Sequence, residues 1–93
     1  MEKELFLPEI KELIRNKDLK ELKEFVSSEL HPSDIADIIE DLDEKDGAIL
    51  FRLLPKELAA DVFSEFEPGK QEEIIKELND TQIKQLILEL EPD

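Results

Sequence analysis

The chain has 93 residues, of which 26 are Asp or Glu and 12 are Lys or Arg, and its formal net charge at pH 7 is −14. This length allows one small domain, and the acidic excess argues against nucleic-acid binding, which needs clustered cations. The absence of cysteine excludes disulfides and thiolate metal sites. No apolar run approaches the roughly 20 residues of a membrane-spanning helix, so we expect no direct membrane insertion by this chain.

Residues 1–29 are predicted to form an N-terminal cap of two helices. Apolar residues recur at helical spacing along residues 2–15 and again along residues 19–28. Residues 16–18 are expected to form a turn, from which Asp18 can cap the second helix. This segment lacks the strict period of the chain that follows it, as the end units of repeat proteins usually do.

From Leu30 onward the sequence repeats every twelve residues. The units read LHPSDIADIIED, LDEKDGAILFRL, LPKELAADVFSE, FEPGKQEEIIKE and LNDTQIKQLILE, followed by a stub, LEPD. Each unit places apolar residues at i, i+3, i+4 and i+7, which share one face of a helix. The template comprises Ile35-Ile38-Ile39-Leu42, Gly47-Leu50-Phe51-Leu54, Ala59-Val62-Phe63-Phe66, Gln71-Ile74-Ile75-Leu78 and Ile83-Leu86-Ile87-Leu90. The only residues of this template that are not apolar are Gly47 and Gln71, and both occupy position i of their units.

The twelve-residue period predicts short stacked helices rather than one long helix. Twelve residues at 3.6 per turn rotate the apolar face by about 120° from one unit to the next, so the helix must break in every unit. Breaks are indicated by prolines near the start of three units and by Asp43 and Asp80, possible caps, in the other two. We therefore predict an all-α solenoid of about seven short helices, with repeats over residues 30–93. The sixth unit stops at Asp93, which leads us to expect a longer natural protein.

The sequence carries no catalytic constellation, and we predict that the protein is not an enzyme. It has no glycine-rich phosphate loop, and its one histidine, His31, precedes Pro32 where a capping or turn role is expected. Pairs of carboxylates one helical turn apart recur, such as Glu57 with Asp61. Hard divalent cations prefer such ligands, but a single pair is more typical of a solvated helix face.

Three segments of the repeat carry a family resemblance. They are the opening run Leu30-His31-Pro32-x-Asp34-Ile35-Ala36-Asp37, the central Phe51-Arg52-Leu53-Leu54-Pro55, and Ala59-Ala60-Asp61-Val62. In this order and spacing they resemble the cytoplasmic N-terminal domain of the MgtE family of magnesium transporters. The resemblance implies a single domain over residues 1–93 with a right-handed, armadillo-like superhelix. A related superhelix occurs in the flagellar motor switch protein FliG, so a protein–protein interaction scaffold is the alternative.

The resemblance also implies a function and a metal site. In MgtE proteins this domain precedes CBS domains and a membrane pore, and the full-length transporter is a homodimer. Mg²⁺ held between acidic faces of the N domain and the CBS domains keeps the pore closed. The chain is thus expected to be a regulatory, Mg²⁺-sensing domain at the cytoplasmic face of the cell membrane. The family's acids fall on Asp61 and Asp93, a further one would lie four residues past Asp93, and we expect weak Mg²⁺ binding by the isolated domain.

Overall fold

The computed structural model describes residues 3–90 and the side chains from Phe6 onward, and this part of the chain forms seven α-helices. They are α1 (Lys3–Arg15), α2 (Leu19–Glu29), α3 (Pro32–Asp41), α4 (Glu44–Leu53), α5 (Lys56–Glu65), α6 (Pro68–Glu77) and α7 (Asp80–Leu90). Residues 3–90 contain no strand. The all-α fold, with two N-terminal helices and five repeat helices, is confirmed. The right-handedness of the superhelix stays a prediction.

The repeat helices begin where the sequence provides a helix-start residue. Pro32 and Pro68 lie in the first turn of α3 and α6. Proline is tolerated there because the backbone N–H that it lacks would have no acceptor within the helix. The carboxylate of Asp43 accepts a hydrogen bond from the backbone N–H of Asp46 at 2.8 Å and caps α4, as predicted. Pro55 is the N-cap residue of α5. None of the helices in residues 3–90 is long and apolar enough to span a bilayer.

The predicted cap at Asp80 is wrong. Asp80 is already the first residue of α7, and the capping residue is Asn79. The side-chain oxygen of Asn79 accepts from the backbone N–H of Gln82 at 2.8 Å, and the side-chain oxygen of Gln82 accepts from the backbone N–H of Asn79 at 3.0 Å. This reciprocal pair satisfies two backbone donors that a helix start otherwise leaves unpaired.

The turn between α1 and α2 is stabilised through the backbone rather than by the predicted Asp18 side-chain cap. Lys17 adopts a left-handed conformation with φ 60° and donates its N–H to the carbonyl of Ile14 at 3.1 Å. The N–H of Asp18 donates to the carbonyl of Leu13 at 2.9 Å. This pair of bonds is the Schellman arrangement that ends many helices, whereas the Asp18 side chain makes no capping hydrogen bond.

The repeat helices stack in two rows. Helices α3, α5 and α7 pack side by side in one row, and α4 and α6 pack in the other. At the N-terminal end, α1 packs against α3 and α4, and α2 packs against α4. Each repeat helix therefore packs mainly against the helix two places away along the chain. Helices α3 and α4 are consecutive and also pack closely against each other. One hydrophobic core runs through the stack.

The two exceptions to the apolar template have structural causes. A Cβ atom added to Gly47 would lie 3.1 Å from Cγ2 of Ile39 and 3.2 Å from the Ile39 carbonyl oxygen, so glycine lets α4 approach α3 closely. Gln71 is half-buried, and its side-chain amide donates to the carbonyl of Phe63 at 3.0 Å. The polar end of this core-facing side chain is thus paired, as a buried amide must be.

Candidate functional site

Asp61 lies on the outer face of α5. The flanking residues Ala60 and Val62 belong to the buried face of the helix, whereas Asp61 is exposed. Glu57 and Glu65 lie one helical turn to either side of Asp61 and are also exposed. The residue that the family resemblance marks as a ligand is therefore the middle member of a row of three carboxylates open to solvent.

The neighbouring helix carries an exposed acid at the equivalent position of its repeat. Asp37 occupies in the first repeat the position that Asp61 occupies in the third, it is exposed, and α3 packs directly beside α5. Helix α3 contains no Lys or Arg, and the only basic residue of α5 is Lys56. We call the exposed carboxylates of Asp37, Glu57, Asp61 and Glu65 the acidic face. Asp37 was not predicted as a site residue, because the sequence does not reveal which repeats become neighbours.

A second group of acids is offset by cations. An open groove of about 540 Å³ between α1 and the α3–α4 connection is lined by Lys11 and Arg15 on one side and by Asp41, Asp43 and Asp46 on the other. Charges of opposite sign therefore meet in this groove. The acidic face, in contrast, has Lys56 as the only basic residue on the two helices that form it.

The acidic face alone does not form a complete metal site. Within the described part of the chain, no three His, Cys, Asp or Glu side chains are grouped closely enough to hold a metal ion. Asp61 can supply one hard oxygen ligand, and Mg²⁺ typically takes only one or two carboxylates while keeping several waters. The acidic face by itself therefore offers at most a partial set of Mg²⁺ ligands. Asp93, the second predicted ligand, lies outside the described residues.

A small cavity among α4, α5 and α7 has no features of an active site. Its volume is about 90 Å³, and Phe51, Leu54 and Leu86 form much of its lining. Ligand pockets usually measure roughly 300–1,000 Å³. One guanidinium nitrogen of Arg52, which borders the cavity, donates to the carbonyl of Glu77 at 3.0 Å. This interaction ties α4 to the C-terminal end of α6, which is a structural role.

These features define a helical-repeat domain with an exposed acidic face. The family described as "MgtE intracellular N domain" matches residues 30–93, which is the repeat region. The chain belongs to this family, whose members are regulatory N-terminal domains of MgtE magnesium transporters rather than enzymes. The predicted resemblance is therefore confirmed. No curated protein matches the chain.

Proposed function

We propose that this chain is the Mg²⁺-sensing regulatory domain of an MgtE-type transporter, and that its acidic face forms half of the sensing site. The observation that carries the proposal is the family match over residues 30–93. The exposed carboxylates on α3 and α5, two helices that carry only one basic residue between them, support it. The other half of the site would come from the CBS domains of the same homodimeric transporter, and the domain itself would lie at the cytoplasmic face of the membrane.

The electrostatics of the chain give this proposal a physical basis. With a formal net charge of −14, the domain repels another acidic surface when no cation lies between them. A divalent cation shared by the two surfaces removes this repulsion and favours the docked arrangement. Because the cation binds the docked state better than the separated state, a rise in Mg²⁺ shifts the equilibrium toward docking, and docking would close the pore.

Asp61 is the residue proposed to contribute a carboxylate directly, and Asp93 is proposed as the second ligand. Asp37 lies on the neighbouring helix at the equivalent repeat position and would strengthen the local negative potential. Alone, the domain should bind Mg²⁺ weakly, with an affinity on the order of millimolar or poorer, because the opposing ligands are missing.

A magnesium titration of the 93-residue chain followed by amide NMR tests whether the domain binds Mg²⁺ through Asp61. At constant ionic strength, we expect the largest shifts along α5 around Asp61, and Asp61→Ala should remove them. Glu21→Ala is the matched control, because Glu21 is an exposed acid on α2 whose loss changes the net charge equally. Equal shifts in the wild type and in Asp61→Ala would contradict a role for Asp61.

Protease protection of the connection between this domain and the CBS domains tests the regulatory step in a transporter that carries the domain. Asp61→Ala should raise the Mg²⁺ concentration needed for half-maximal protection by about fivefold, which corresponds to the loss of roughly 1 kcal/mol of charge interaction. Glu21→Ala should leave the midpoint unchanged. If both variants titrate like the wild type, Asp61 is an ordinary solvated acid and the Mg²⁺-sensing site lies elsewhere; if Mg²⁺ changes the protection of no variant, the interaction scaffold becomes the better interpretation.

A further inference from the structure

We draw no further inference here: the strongest candidate, the small cavity among α4, α5 and α7 that Arg52 and Lys56 border, carries none because it is smaller than a typical ligand pocket and nothing in the structure shows what fills it.

Discussion

Replacing Gly47 by alanine tests why this position of the apolar template lacks a side chain. Gly47 lies in α4 and is buried. An added Cβ would lie 3.1 Å from Cγ2 of Ile39 and 3.2 Å from the Ile39 carbonyl oxygen. The methyl group of Ile39 can shift by a small rotation. Its carbonyl oxygen belongs to the backbone of α3 and can move only if the two helices separate.

Two opposing effects determine the expected result. Alanine is favoured over glycine in a helix by about 1 kcal/mol, whereas an extra carbon in a tightly packed contact typically costs about 1–3 kcal/mol. The close contact with a backbone atom makes the second effect the larger one. We therefore expect Gly47→Ala to lower the free energy of unfolding by about 1 kcal/mol.

Gly69→Ala provides the matched comparison. Gly69 is exposed in the first turn of α6, no atom lies within 4 Å of a Cβ added there, and its φ is not positive. This variant should raise the free energy of unfolding by about 0.5–1 kcal/mol. Thermal unfolding followed by circular dichroism should show Tm shifts of opposite sign, with about 4–8 °C for each kcal/mol in a domain of this size. Equal stabilisation by both substitutions would refute the close-approach explanation for Gly47.

Two further predictions concern helix ends, and urea unfolding measures both. Asn79→Ala should destabilise the protein by about 1 kcal/mol, because it removes one half of the capping pair with Gln82. Asp80→Ala should cost less than about 0.5 kcal/mol, and equal losses would contradict the assignment of Asn79 as the cap. Lys17→Gly should stabilise the protein by about 1 kcal/mol, because Lys17 holds a φ of 60° that glycine adopts without strain. Lys17→Ala removes the same charge but keeps the Cβ, so a similar gain from it would contradict this reasoning.

The number and order of the helices could be predicted because they depend on local information. The spacing of apolar residues identifies one face per unit, and the prolines and Asp43 limit where each helix can begin. Individual caps were less predictable. The sequence comparison between units favoured Asp80 as a cap, whereas the hydrogen bonds favour Asn79. The signal was present in the sequence, because Gln82 follows Asn79 at the spacing of a capping pair.

The stacking of the helices in two rows could not be read from the sequence. The twelve-residue period makes Asp37 and Asp61 equivalent, but it does not place α3 beside α5. That arrangement depends on how closely consecutive helices cross, and Gly47 contributes to this crossing by allowing contact with Ile39. The exposure of Asp61 was therefore predictable from its helix face, and its proximity to the helix that carries Asp37 was not. Asp93 lies outside the described residues and stays a prediction.

The same repeat that generates the acidic face also limits its extent. In the row formed by α3, α5 and α7, the outer position is occupied by Asp37, then Asp61, then Gln85, so the series of acids ends at α7. Sodium chloride screens the repulsion between two acidic surfaces but does not bridge them. Magnesium added at constant ionic strength therefore separates the proposed bridging by a divalent cation from general screening of the charge.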